Sequence, residues 1–279
     1  MSARSYLYVP ADNLERLNKA LNRGADALIV DLEDGVAPSN KNIARENLRV
    51  FLNNTQTSIE IWVRVNSEEE ALKADLDFAV HKNCHGIVLA KTTSADDVQR
   101  VDSILTTLEK SLGIEKKLEI SALIESASGV FNAQAIAAAP RVTRLQLGEA
   151  DLRADLAISG PGAEVPLQFA RNMVIFASSA AGINPPLAAV SIDFRDLDAY
   201  RISTENFKAW GYFGRTCIHP DQLQIVNEVF TPSPEEIAAA QDIVDRLSAS
   251  GGGVALDAKG RMIDEAIARS ARRILNITK

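Results

Sequence analysis

Cysteine and histidine are scarce in this chain of 279 residues, which contains two cysteines and three histidines. Two thiols are too few for a disulfide framework or for a cysteine-based zinc cluster. Cys84 and Cys217 both lie in apolar stretches, so we expect buried, reduced thiols and not catalytic ones. The scarcity argues against a disulfide-stapled fold and against thiol chemistry.

Basic blocks and long apolar runs are also missing. The formal net charge is −7 at pH 7, and no stripe of basic and aromatic residues occurs, which argues against nucleic acid as the main partner. No apolar run approaches the ~18 residues that a membrane-spanning helix needs, and the first residues, MSARSYLYVP, lack the apolar core of a signal peptide. We therefore expect a soluble cytoplasmic protein with no membrane partner.

The chain does contain short apolar strands that alternate with amphipathic helices. Eight strand-to-helix units are predicted, the seventh strand at residues 188–192 and the eighth at 211–218. Continuous apolar strands joined through helices by short turns are typical of an α/β protein, a (β/α)8 TIM barrel. We expect one barrel over residues 1–232, followed by a C-terminal helical extension, 233–279, that packs on the barrel or on a neighbouring subunit.

Carboxylates follow three of the predicted strands. They are Asp31, Glu33, Asp34, Glu125, Glu149 and Asp151. The carboxyl ends of parallel strands face the ligand, and magnesium typically takes one or two protein carboxylates together with water and substrate. Glu125 and Asp151 are therefore candidate metal ligands. The alternative is that each acid caps the helix that follows it. For Asp151 this alternative has about the same weight as metal binding; for Glu125 it has less, because Ser126 is the better cap.

Motifs spread over almost the whole chain resemble one enzyme group. They are, in order, RSYLYVPADNLERLNKALNRGADALIVDLEDGVAP, WVRVN, ALIESASGV, LGEADLRADL, GRTCIHPDQ and GGVALDAKGRMID. Together they resemble the citrate lyase β-subunit-like group of the HpcH/HpaI aldolase superfamily, which includes malyl-CoA, citramalyl-CoA and citryl-CoA lyases. The resemblance implies a magnesium-dependent (β/α)8 enzyme that forms homotrimers or hexamers.

The resemblance also implies roles for individual residues. It makes Glu125 and Asp151 the magnesium ligands and Arg64 of WVRVN the arginine that holds the oxyanion or carboxylate of the substrate. Asp264 of RMID would handle the proton at the acetyl-CoA methyl carbon, in its own or a neighbouring subunit's site. The substrate is also expected to contact Glu125, Glu149 and Ala150. Glu33 and Asp34 are expected to lie near the water shell of the metal.

Simpler roles remain open for several of these residues. Arg64 could instead form an ion pair with a strand-end acid such as Glu33, because an arginine on an apolar strand needs a partner. Asp264 could cap the last helix, alone or in addition to its chemistry. Of Asp31 and Glu33, one is expected to face away from the metal into an ion pair. His219 is expected to be a hydrogen-bonded structural residue before a helix.

The reaction implied by the resemblance is cleavage of a 3-hydroxyacyl-CoA. The first expectation is citramalyl-CoA, giving acetyl-CoA and pyruvate, with malyl-CoA close behind. One alternative is citryl-CoA cleavage to acetyl-CoA and oxaloacetate, as a citrate lyase β subunit. Another is a CoA-independent class II pyruvate aldolase, which would need a histidine base near the metal, and the three histidines are poorly placed for that.

Overall fold

The computed structural model describes residues 3–251 and 253–277. Strands and helices alternate through most of this length. In chain order the first elements are β1 (Ser5–Pro10), α1 (Leu14–Ala20), β2 (Ala27–Asp31), α2 (Lys41–Asn54), β3 (Glu60–Val65), α3 (Glu69–Ala79), β4 (Gly86–Leu89), α4 (Ala95–Leu112) and β5 (Glu119–Ile124). They are followed by α5 (Ala127–Phe131), α6 (Ala133–Ala137), β6 (Val142–Leu147), α7 (Glu149–Asp155), α8 (Glu164–Ala181), α9 (Leu197–Trp210), β7 (Arg215–Cys217), α10 (Asp221–Phe230), α11 (Pro234–Ala249), β8 (Ala255–Leu256), β9 (Met262–Ile263) and α12 (Glu265–Ile277).

Seven strands form one parallel sheet in the order β6-β5-β4-β3-β2-β1-β7. Every residue of β2 is buried, as expected for a parallel strand covered on both faces by helices. In the register of the sheet, Asp31 at the end of β2 lies opposite Arg64 on β3. The predicted α/β class is confirmed, and the carboxyl ends of the strands meet at one edge.

The predicted seventh strand, 188–192, is wrong as a regular strand. Leu187 and Ala188 instead make two isolated parallel bridges, to Gln146 of β6 and to Arg215 of β7. Two prolines, at positions 185 and 186, immediately precede this segment, and proline has no N–H to donate to a sheet. Pairing with the sheet therefore begins only after the prolines, where the N–H groups of Leu187 and Ala188 donate to Leu145 and Gly214, and it is limited to single bridges where a full strand was expected.

The predicted eighth strand, 211–218, is shortened to β7. Gly211 and Gly214 adopt φ values of 104° and 86°, in the region that glycine enters readily and that extended strands do not use. The chain therefore turns before Arg215, and only Arg215–Cys217 remains extended.

The chain divides into two compact units, of which the larger is Arg4–Asn227 and the smaller consists mainly of the chain from Glu228 onward. In the smaller unit α11 packs against α12, and β8 pairs antiparallel with β9. Leu247, Ile263 and Ala268 form its buried cluster. Among the residues that the structure describes, no helix is both long and apolar enough to cross a membrane.

Candidate active site

A cavity of about 310 Å³ opens at the carboxyl ends of the strands in the larger unit. Side chains from distant parts of the sequence border it. They include Tyr8, Asp31, Arg64, Glu125, Gln146, Glu149, Ala150, Asp151 and Thr216. The structure therefore places five of the predicted site residues around one cavity, namely Arg64, Glu125, Glu149, Ala150 and Asp151.

Glu125 follows β5 and is only 5% exposed. Its Oε1 accepts a hydrogen bond of 2.6 Å from the backbone N–H of Lys91. The cap of α5 is Ser126, whose Oγ accepts from the Gly129 N–H, so the capping alternative is wrong for Glu125. A Cβ at Gly148 would lie 2.6 Å from Oε2 of Glu125, so the glycine that ends β6 leaves the space that this carboxylate fills.

The pKa of Glu125 is raised to about 8, mainly by burial and also by the negative charges of Asp151 and Glu33. The Lys91 N–H and the charge of Arg64 oppose this shift. Negative charge gathered around a buried carboxylate is relieved by a cation, and carboxylate oxygens suit a hard divalent ion. Glu125 and Asp151 therefore fit magnesium by their chemistry.

Asp151 lies in the first turn of α7, whose N-cap is Gly148. Asp151 is therefore not the N-cap residue itself, but it occupies the first turn, where the exposed N–H groups and the helix dipole favour an acid, as the alternative expected. Within residues 3–251 and 253–277, no group of three or more histidine, cysteine, aspartate or glutamate side chains is arranged to hold a metal. An ion bound by Glu125 and Asp151 would take its other ligands from water and substrate, as magnesium usually does.

Arg64 is held by two acids and an aromatic ring. Its Nε and Nη2 donate to the two carboxylate oxygens of Asp31 at 2.7 and 2.6 Å, and its Nη1 lies 3.2 Å from Oε2 of Glu33. The guanidinium carbon lies 4.9 Å from the centre of the Tyr8 ring. The ion-pair alternative is thus confirmed, with Asp31 as the main partner, and Arg64 also borders the cavity.

Lys91 is a site residue that the sequence reasoning passed over. Its Nζ lies 2.5 Å from Oε1 of Glu33 and 3.3 Å from Oδ1 of Asp34. Although burial lowers the pKa of Lys91, the contacts with Glu33 and Asp34 raise it overall. Because Lys91 follows β4 as Glu125 follows β5, the strand-end rule that found the acids could also have found this lysine.

Glu149 and Ala150 stand at one rim of the cavity. Both carboxylate oxygens of Glu149 accept hydrogen bonds from Arg171, each of 2.7 Å. Nη1 of Arg171 also donates to Glu164 at 2.9 Å. Glu149 is therefore fixed by an ion pair on the side of α8.

A polar chain crosses the floor of the cavity. The Tyr8 hydroxyl donates to Oε1 of Gln146 at 3.3 Å, and Nε2 of Gln146 donates to Oγ of Ser121 at 2.9 Å. Burial raises the pKa of Tyr8, so its hydroxyl stays neutral. No sequence pattern indicated this chain, because each member is a single polar residue on an apolar strand.

Three predictions about side chains outside the cavity can be compared with the structure. Asp264 caps α12, where its Oδ1 accepts from the Ile267 N–H at 3.0 Å, so its capping role is confirmed. His219 stacks on Phe194 with ring centres 4.8 Å apart. Both cysteines are buried and unpaired, and burial raises the thiol pKa of each to about 12, as expected for inert thiols.

Comparison with known protein families yields one match over most of the chain. A model of the HpcH/HpaI aldolase/citrate lyase family matches residues 4–220. A (3S)-malyl-CoA thioesterase of Cereibacter sphaeroides is 32% identical over 277 residues, which cover 98% of this chain and 93% of that protein. An L-malyl-CoA/beta-methylmalyl-CoA lyase of Rhodobacter capsulatus is 29% identical, with the same coverage of both chains.

Solved structures give the same relationship. The protein CitE from Mycobacterium tuberculosis, in complex with magnesium, acetoacetate and coenzyme A, superposes with a TM-score of 0.76 at 28% identity, covering 99% of this chain and 97% of that one. A citrate lyase beta subunit from M. tuberculosis, complexed with oxaloacetate and magnesium, gives a TM-score of 0.70 at 29% identity, covering 83% and 98% of the two chains.

Proposed function

This chain belongs to the HpcH/HpaI aldolase/citrate lyase family, and we propose that it is a magnesium-dependent lyase that cleaves a carbon–carbon bond of a 3-hydroxyacyl-CoA. The observation that carries the proposal is the meeting of two carboxylates, Glu125 and Asp151, and one arginine, Arg64, around a single cavity. Relatives with malyl-CoA in their names and neighbours crystallised with magnesium support it.

Glu125 and Asp151 are the proposed holders of the metal. Bound magnesium supplies a Lewis acid that lowers the pKa of a substrate hydroxyl and stabilises the resulting alkoxide. The high pKa of metal-free Glu125 agrees with this role, because a cation would favour its ionised form. Lys91, paired with Glu33 and Asp34, would orient polar groups near the water shell of the metal.

Arg64 is the proposed binder of developing negative charge. Nε and Nη2 of Arg64 donate hydrogen bonds to Asp31, which fixes the plane of the guanidinium before the substrate binds. Its permanent charge at the cavity wall can stabilise the enolate oxygen that forms as the carbon–carbon bond breaks. Glu149 and Ala150 would contact the substrate at the opposite rim.

Asp264 is the proposed acid that protonates the enolate carbon to give the acetyl-CoA methyl group. It would act in its own or in a neighbouring subunit's site. The support is the sequence resemblance in RMID together with the ordered cap position of the side chain.

We infer citramalyl-CoA as the first substrate to test and malyl-CoA as the second. The names of the relatives favour an acyl-CoA with a short dicarboxylic group. One relative is named a thioesterase, so hydrolysis of the thioester is the competing reaction. The two reactions differ in products, since a lyase releases a keto acid and acetyl-CoA, whereas a thioesterase releases free coenzyme A.

The test is an assay of the purified protein with magnesium and, in turn, citramalyl-CoA, malyl-CoA and citryl-CoA. Keto acid is measured as its phenylhydrazone, and free thiol is measured in parallel. We expect keto acid without free thiol, loss of activity with EDTA, and recovery with added magnesium. Free thiol without keto acid would establish the hydrolase instead, and inactivity on all three thioesters would favour a CoA-free aldolase.

We also infer a closed barrel and a homotrimer or hexamer. The bridges of Leu187 and Ala188 to β6 and β7 support closure of the ring between the two edge strands. On α8, Val165, Phe169 and Phe176 share one side of the helix and are between 51% and 78% exposed. Phe131 lies next to this stripe, 6.2 Å from Phe169 between ring centres, and an apolar stripe of this kind is typical of a subunit interface.

A further inference from the structure

A second cavity, of about 660 Å³, borders the candidate active site. The two cavities share Glu149, Ala150 and Val190 as lining residues. The second one extends between the chain after Leu187 and the helices α7, α8 and α9. Its lining also includes Arg153, Glu164, Arg171, Ser191, Ile192, Ser203, Asn206, Phe207, Trp210 and Arg215.

Arg215 is a buried cation in the wall of this cavity and is only 3% exposed. Its Nε donates to the Ala189 carbonyl at 2.9 Å. Its Nη1 donates to the hydroxyls of Ser203 and Thr204 at 2.8 and 2.6 Å and to the Tyr200 carbonyl at 3.3 Å. All of these acceptors are neutral, and no described carboxylate forms an ion pair with Arg215.

The other two arginines of the cavity differ from Arg215, because glutamates neutralise them. Arg171 pairs with Glu149 at 2.7 Å and with Glu164 at 2.9 Å, and Arg153 pairs with Glu164 at 2.7 Å. The lining thus contains three arginines and two glutamates, and the excess positive charge resides at Arg215. The rings of Tyr200 and Phe207, with centres 4.1 and 5.2 Å from the guanidinium carbon, stabilise this charge in part. A buried charge without a counter-ion is still costly, which agrees with the lowering of the Arg215 pKa by burial.

One nitrogen of Arg215 faces the cavity without an acceptor. The hydrogen bonds of the guanidinium use Nε and Nη1, and Nη2 has no acceptor among the described residues. Nη2 is not sealed from solvent, and Arg215 lines the second cavity, so we take this nitrogen to be open to the cavity. A planar guanidinium with two free N–H groups is a donor for an oxyanion.

We propose that the second cavity binds a small molecule through a carboxylate or phosphate group placed at Nη2 of Arg215. The exposed amide of Asn206 borders the same space, and Ile192 and Trp210 offer apolar walls for the rest of the ligand. The two cavities adjoin, but the anion position at Arg215 is separate from the first cavity, because Arg215 lines only the second cavity and the next residue on β7, Thr216, lines only the first. It goes beyond the proposed lyase activity and does not depend on it.

The experiment is equilibrium dialysis of the full-length, metal-free protein against radiolabelled inorganic phosphate or acetate at constant ionic strength. EDTA keeps metal out of the first cavity. We compare the wild type with Arg215→Met, and with Arg64→Met as the matched arginine control in the first cavity. We expect saturable binding by the wild type and by Arg64→Met, and binding weakened at least ~10-fold in Arg215→Met, because the anion loses its charged hydrogen bond to the guanidinium.

A second pair of variants keeps the test decisive if Arg215→Met does not fold. Ser203→Leu introduces a larger side chain at the wall of the second cavity and leaves Arg215 in place. Ala209→Leu is the control, because it introduces a side chain of the same size at an exposed position of α9 outside the cavity. We expect weaker binding in Ser203→Leu alone. Preference for phosphate identifies a phosphorylated ligand, and preference for acetate identifies a carboxylate. The proposal is overturned by absence of saturable binding of both anions in the wild type, or by equal losses in Arg64→Met or Ala209→Leu.

Discussion

Asp31 and Arg64 occupy opposite positions on β2 and β3 and are joined by two parallel hydrogen bonds of 2.7 and 2.6 Å. The carboxylate is itself held, because Oδ1 accepts from the Glu33 N–H and Oδ2 from the Gly35 N–H, each at 2.9 Å. A Cβ at Gly35 would lie 2.2 Å from Oδ2. The turn after β2 therefore fixes Asp31, and Asp31 fixes the arginine.

Arg64→Lys is expected to lower kcat/KM by ~100-fold or more, because a lysine ammonium cannot make the paired hydrogen bonds to Asp31 and still present a donor to the substrate. Steady-state kinetics on the active acyl-CoA measures this loss. Thermal unfolding of the same variant shows whether the fold is intact. Activity within threefold of the wild type would remove Arg64 from the chemistry and leave only its ion-pair role.

Glu125→Gln and Asp151→Asn are each expected to lower magnesium-dependent turnover by ~100-fold or more, because each removes a charged oxygen ligand. Calorimetric titration with magnesium should show weaker binding in both variants. Asp77→Asn, a change at an exposed carboxylate of α3 outside the cavity lining, is the matched control and should bind magnesium normally. Wild-type magnesium affinity in either variant would show that the substituted carboxylate is not a ligand of the metal.

The metal-free protein is expected to lose stability as the pH rises from about 4.5 to about 8. Burial raises the pKa of Glu125 from 4.5 to about 8, so in this window the folded state binds more protons than the unfolded state. The free energy of unfolding then falls with rising pH. Chemical unfolding in EDTA across this range checks the slope, which should be shallower in Glu125→Gln and with saturating magnesium. Equal slopes in wild type and Glu125→Gln would contradict the shift.

Asp264→Asn is expected to slow exchange of the acetyl-CoA methyl protons with deuterated water by ~100-fold, because the amide cannot transfer the proton. Asparagine also serves as a helix cap, so α12 should keep its start, and circular dichroism should be unchanged. Mixing Asp264→Asn with Arg64→Lys protomers should restore activity if the site is shared between subunits. Exchange at the wild-type rate would exclude Asp264 as the acid.

The double variant Phe169→Glu/Phe176→Glu is expected to have a smaller mass in solution than the wild type, because it places two charges in the apolar stripe of α8. Size-exclusion chromatography with light scattering measures the mass. Leu112→Glu changes another apolar residue, which is 55% exposed, and should leave the mass unchanged. A monomeric wild type would refute the inferred interface.

Local sequence patterns predicted the parts of the fold that depend on neighbouring residues. Buried parallel strands require continuous apolar runs, so β2 and β5 were recognisable, as were the acids that follow them. The Ser126 cap, the Asp264 cap and the buried thiols also follow from short-range chemistry. Two strand predictions in the sheet failed: the seventh, which follows two consecutive prolines that cannot donate to the sheet, and the eighth, which is shortened where Gly211 and Gly214 turn the chain.

Local pattern also left the capping alternatives for Glu125 and Asp151 open. The structure shows that Ser126 caps the helix after Glu125, and that Asp151 lies in the first turn of α7 while Gly148 is its N-cap. Which acid pairs with which base depends on strand register and on side-chain packing, and neither is encoded within a window of a few residues.

The sequence by itself determined that carboxylates and an arginine stand at the ends of apolar strands, because alternation and strand length are local properties of the chain. Tertiary structure alone decided that Asp31 pairs with Arg64, that Lys91 pairs with Glu33, and that Arg215 lies beside a cavity with no ion pair to a carboxylate of the described residues. These relations join residues separated by many positions, and they form only when the sheet places the strand ends side by side.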